Sequence, residues 1–96
     1  MTQIQIFEKA GAFAENKDIA KDLRVREIIP ELERSEEVIL DFDRVDTVTQ
    51  SFIHALISDV LRKFGSDALD RIAFKSCNDN IRTIIRIVTD YMQDGE

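Results

Sequence analysis

The chain has no tryptophan, and its 96 residues include one cysteine, one histidine, one proline, one tyrosine and three glycines. A lone Cys77 cannot close an internal disulfide, and one cysteine with one histidine cannot supply a structural zinc site, which takes four such ligands. A reducing, cytoplasmic setting is therefore expected, with no metal and no cofactor. Long apolar runs are missing as well. Stretches such as Val38 to Leu40 fall far short of the ~20 residues a membrane helix needs. Met1 to Phe7 lacks the basic start and apolar stretch of an export signal. Positive charge is in deficit, with 13 basic against 19 acidic side chains and a formal charge of −6. Such a surface repels a polyanion on average, which argues against nucleic acid and anionic membrane as partners.

What is present is the composition of an ordinary folded domain: 44% apolar and 33% charged residues, too apolar for intrinsic disorder. The length allows one domain, 1–96, with one modest core. Ile4 and Ile6 alternate with Gln3 and Gln5, a period-two pattern that predicts a strand at about 3–8, at a sheet edge or in an antiparallel pair. Ala10 to Ala14, with Gly11, predicts a turn or a short second strand. From Lys17 to Arg34 the sequence favours helix, with Asn16 as N-cap. At ~100° per residue, however, Ile19, Ala20 and Leu23 fall on one side and Val25, Ile28, Ile29 and Leu32 on the other. A straight helix cannot bury both sets, and Pro30 has no N–H to give. Two helical pieces, or one helix with a sharp kink between Arg24 and Pro30, are expected.

Val38-Ile39-Leu40 is apolar on both faces, as a central strand covered by helices on each side would be. Helix two is expected at about 49–64, where Ile53, Leu56, Ile57, Val60, Leu61 and Phe64 keep the 3.6 period and Gly65 stops it. Ile72-Ala73-Phe74 predicts a strand parallel to the central one, reached by a right-handed crossover. Helix three follows at about 78–91, with Ile81, Ile84, Ile85 and Val88 inward and Ser76-x-x-Asp79 as a capping box. The expected fold is α/β, a small mixed sheet flanked by helices in the order strand, helix, strand, helix, strand, helix.

The segment Val38-Ile-Leu-Asp-Phe-Asp-Arg-Val-Asp-Thr-Val-Thr-Gln-Ser-Phe52 resembles the signature of STAS-like domains, relatives of the anti-sigma-factor antagonists. An apolar strand ends in an acidic residue, a short turn follows, and a Ser/Thr-rich segment opens a helix. The resemblance extends from about Asn16 to Tyr91. It implies a small cytoplasmic bacterial regulator that switches partners, often kinases or anti-sigma factors with a histidine-kinase-like ATP-binding fold. In the phosphorylated antagonists a serine at the start of this helix accepts phosphate. That position falls on Gln50 here, and glutamine has no hydroxyl, which leaves Thr49 and Ser51 as the candidate phosphoacceptors.

Independently of the resemblance, the segment lies beyond the carboxyl end of a strand and at a helix N-terminus, where free N–H groups favour an anion. Thr47-x-x-Gln50 also reads as a plain capping box. The outer side of helix two, Ser51, Ala55, Ser58 and Arg62, is small or polar, and with the loop from Asp43 to Thr49 it forms the candidate partner-binding stripe. A competing pattern is Asp41-x-Asp43 after an apolar strand, the opening of haloacid-dehalogenase-like, magnesium-dependent phosphatases. The later acidic pair such an enzyme needs is missing. Asp41, Asp43 and Asp46 lack the glycine and the final glutamate of an EF-hand and read as turn residues. His54 reads as a boundary residue, and Cys77, at the mouth of helix three, as an incidental thiol whose pKa the helix dipole would lower. The expected function is non-enzymatic protein binding, with the phosphatase and a purely architectural, homo-oligomerising subunit as alternatives.

Overall fold

The computed structural model describes residues 2–34 and 36–94. Three short strands, β1 (Thr2–Gln5), β3 (Val38–Asp41) and β5 (Ile72–Lys75), form a sheet in the order β1-β3-β5, with β3 in the middle as expected. Both pairings are parallel, aligning Ile4 with Leu40 and Leu40 with Phe74, so the mixed sheet expected from the sequence is a parallel one. The first strand also ends sooner than the alternation suggested. Pairing stops at Gln5 opposite Asp41, and Ile6 opens a short helix, α1 (Ile6–Ala10). Gly11 ends α1 at φ 77°, a left-handed value costly for any residue with a Cβ, and donates its N–H to the Phe7 carbonyl.

A second ladder, only two residues long, pairs β2 (Phe13–Ala14) in parallel with β4 (Thr47–Val48). The remaining elements are α2 (Lys17–Leu23), a π-helical segment (Arg24–Ile28), α3 (Ile29–Glu33), α4 (Gln50–Phe64), α5 (Asp67–Arg71) and α6 (Asp79–Asp94). Val38, Leu40, Ile4 and Ile72 are buried on one sheet face. The core continues beneath them through Phe52, Ile53, Leu56 and Ile57 of α4 and Ile81, Ile85 and Val88 of α6. The other face carries Gln3, Ile39, Ala73, Gln5, Asp41 and Lys75. Because Gln3, Ala73 and Lys75 on it are exposed, the expected helical cover on both sides of β3 exists on one side only.

The conflict between the two apolar sets after Asn16 is resolved without a break. The Ile29 N–H donates to the Arg24 carbonyl, five residues back. One extra residue is thus wound into that turn. In a regular helix five residues would turn Ile28 about 140° away from Leu23. The wider turn carries it back towards the same side, and Ala20, Leu23, Ile28 and Leu32 are all buried. Val25 is the residue left out, 52% exposed. Pro30 follows the π segment directly, in the first turn of α3, where the regular i→i−4 ladder is already interrupted and a missing N–H costs less than in mid-helix. Asn16 is the N-cap as expected, its Oδ1 accepting from the N–H groups of Asp18 and Ile19.

Candidate functional site

The two-residue ladder positions the site. Ala14 pairs with Val48, the Thr49 N–H donates to the Ala14 carbonyl and the Asp46 N–H to that of Ala12. Asn16 and Thr49, the N-caps of α2 and α4, therefore lie just beyond neighbouring strands, and the two helices start side by side. On the third side, the Asn78 amide donates to the Asp46 carbonyl at 2.8 Å while its Oδ1 accepts from the Ile81 N–H. A cleft of about 420 Å³ opens where the heads of α2 and α4 meet the far half of α6. Lys17, Gln50, Ser51, His54 and Ala55 line it with Ile87 and Tyr91. Two helix N-termini and the Lys17 ammonium give this cleft a positive bias on an acidic chain.

The residues singled out from the sequence divide. Gln50 and Ser51 are exposed and Ala55 is half-buried, all in the cleft wall. Thr49 is the N-cap of α4, its Oγ1 accepting from the Phe52 N–H at 3.1 Å. Thr47 therefore does not cap that helix, because it is engaged in β4, and the capping box with Gln50 does not form. Asp43 and Thr47 are exposed but do not line the cleft. Ser58 is only 4% exposed, so the supposed outer stripe of α4 is not a solvated one. The reason is the packing of α2 and the π segment along α4. From the π segment Arg24 extends its guanidinium to the Ala55 carbonyl at 2.7 Å and to Asp59 at 3.3 Å. Arg62, at the end of the stripe, is exposed and pairs with Asp59 at 2.8 Å. That Lys17, Ile87 and Tyr91 would meet Gln50 could not be read from the sequence, because all three come from other elements. A local signal did exist for Ile87 and Tyr91, which fall off the inner stripe of α6.

The acidic loop is arranged as a turn. Asp41 is buried. Its Oδ2 accepts from Gln3 Nε2 at 2.7 Å and from Gln5 Nε2 at 3.2 Å, and its Oδ1 from the Asp43 N–H at 2.9 Å. The Asp43 N–H holds the carboxyl below the usual range against the opposing effect of burial, with Gln3, Lys75 and Gln5 adding to the lowering. Both oxygens are thus already engaged. Asp43 and Asp46 are exposed, and no three His, Cys, Asp or Glu side chains gather at metal-binding distance among the described residues. At the far end of β5, Cys77 departs from expectation. Burial raises its pKa, outweighing the nearby Arg82, with Asp41 adding to the rise. Asn78, not Ser76, caps α6, and Ser76 sits in the left-handed region at φ 59°.

A parallel sheet with β3 at its centre, followed by an acidic turn and a Thr-capped helix whose head lines a cleft, defines a STAS-like α/β domain. The family model described as STAS-like domain of unknown function (DUF4325) matches residues 21–82, about two thirds of the chain, and the chain belongs to that family. Comparison with curated proteins and with solved structures gave no match. No helix among the described residues is long and apolar enough to cross a membrane.

Proposed function

We propose that this chain is a non-enzymatic cytoplasmic regulator that binds a partner protein in the cleft at the heads of α2 and α4. The observation that carries the reading is the pair of exposed apolar side chains on α6. Tyr91 is 69% and Ile87 45% exposed, and both stand in the same cleft wall as Gln50 and Ser51. An aromatic and an aliphatic group at the rim of a concave, partly polar surface are what protein interfaces use as anchors. By its resemblance to anti-sigma-factor antagonists, the partner is a kinase or anti-sigma factor with a histidine-kinase-like ATP-binding fold. Ser51 is the phosphoacceptor in this reading, since its side chain is exposed in the first turn of α4 whereas the Thr49 hydroxyl is occupied as a cap. Phosphate there would favour the helix dipole and change the cleft's charge.

Affinity capture from the source cell, with wild type and folded variants as bait, tests the proposal. One protein held by wild type should be lost by Tyr91→Ala and Ile87→Glu, and Ser51→Asp should shift its affinity more than Ser51→Ala. Retention by all of these places the interface elsewhere. Magnesium-dependent hydrolysis of a generic phosphate ester, abolished in both Asp41→Asn and Asp43→Asn, would establish the phosphatase instead.

A further inference from the structure

A second surface lies away from this cleft, along β5. This strand is at the edge of the sheet. The Lys75 carbonyl accepts from the Phe42 N–H, so Lys75 directs its main chain towards β3. Because main-chain groups of successive strand residues face opposite ways, the Phe74 N–H and C=O point outward, to the open edge. Beside that edge runs a groove of about 480 Å³ between β5 and α6. Leu69, Phe74 and Ile85 give it apolar walls, and Arg82 and Arg86, one turn apart on α6, stand along it. Arg86 makes no ion pair among the described residues, and Arg82 donates to the Cys77 carbonyl at 3.0 Å and stands 3.7 Å from the fully exposed Asp79. Lys75, on the opposite sheet face of the same strand, is exposed. On a chain of formal charge −6, three cations stand along this edge, with Asp79 near Arg82 and Asp41 near Lys75 as the carboxylates beside them.

We infer that β5 is a docking edge for an extended, acidic segment of another protein, which adds to the sheet as a further parallel or antiparallel strand. Its main chain pairs with the outward groups of Phe74. Side chains on its inner face enter the groove, apolar ones over Leu69, Phe74 and Ile85 and carboxylates at Arg82 and Arg86, and a carboxylate on its other face meets Lys75. Strand addition of this kind draws affinity from main-chain hydrogen bonds and specificity from alternate side chains. Charge decides against a second copy of this chain at the same edge, because two-fold pairing of β5 with itself would bring these three cations against their own images.

The test uses a blocked, fluorescein-labelled peptide of about seven residues in repeating Val-Val-Glu-Glu order, so that each face carries both residue types, titrated with the full chain by fluorescence polarisation. Saturable binding is expected, weakened by about 0.5 M salt, where screening extends only a few ångströms. The lysine counterpart of the peptide, and the glutamate peptide N-methylated at alternate residues, should not bind. Arg86→Glu should weaken binding at least about tenfold, whereas Arg26→Glu, the same charge change on an exposed residue paired with Asp22, should leave it unaltered. No saturable binding, equal binding of the N-methylated peptide, or equal loss in Arg26→Glu overturns the proposal. So does a dimer in sedimentation whose β5 amides are protected from exchange, which would give the edge to a second copy.

Discussion

Asp41 shows how much of a residue's role depends on its surroundings. In the sequence it heads a pattern that nucleophilic aspartates share. In the fold its two oxygens accept three hydrogen bonds, from Gln3, Gln5 and the Asp43 N–H. Those glutamines reach it because the parallel register sets Gln5 opposite Asp41 and Gln3 one residue pair away on the same face. A carboxyl whose pKa is lowered on folding adds stability that is complete above its unfolded value of about 3.9 and disappears as pH falls through the lower folded value. Asp41→Asn should therefore unfold more easily at pH 7, by about 1 kcal/mol, and the gap from wild type should close in acid as the wild-type carboxyl protonates. Thermal unfolding followed by circular dichroism across that range measures it. An equal loss at every pH would mean that shape and not charge matters at this position.

At the scale of elements, α4 was the most legible part of the chain. Its apolar stripe predicted 49–64 and the helix runs from Gln50 to Phe64, because an amphipathic period is a purely local signal. The helix before it was legible as a conflict, with two apolar sets out of phase, but not as a solution. Whether a chain breaks, kinks or winds in an extra residue depends on what packs against it, and here Leu23, Ile28 and Leu32 share one core. If the π segment absorbs one surplus residue, deletion of the exposed Val25 should cost less stability than deletion of Lys21, one turn earlier in regular helix. Pro30→Ala should change stability by well under the ~3 kcal/mol of a mid-helix proline. Urea midpoints of the three variants check both statements, and a gain near the full proline figure would show that Pro30 strains the helix. Expectations that hung on a single side chain divided, and Asn16 caps α2 and Gly65 ends α4 as expected. Thr47 and Ser76 both looked like caps, and the neighbouring Thr49 and Asn78 perform that task, since cap geometry depends on the residue at which the chain leaves the strand or turn.

At the scale of the whole molecule, the stability of the sheet should be uneven. β3 is paired on both sides, whereas the β2 and β4 ladder is two residues long. Native-state amide exchange should be slowest in β3 and fast in Ala14 and Thr49, so that the heads of α2 and α4 open before the sheet does. Protection at Thr49 equal to that in β3 would show instead that the cleft and the core unfold as one unit. Local periodicity and composition by themselves determined the α/β class, the central strand, the amphipathic helices and the acidic balance of the chain. These are properties of short windows of chain. The tertiary structure alone decided that β1 too is parallel and the sheet open on one face, that Ser58 is buried, and that Lys17, Ile87 and Tyr91 join Gln50 and Ser51 around one cleft. Each of those follows from pairing and packing between residues far apart in the chain, and the period of a single segment says which side of it is apolar, not what that side will meet.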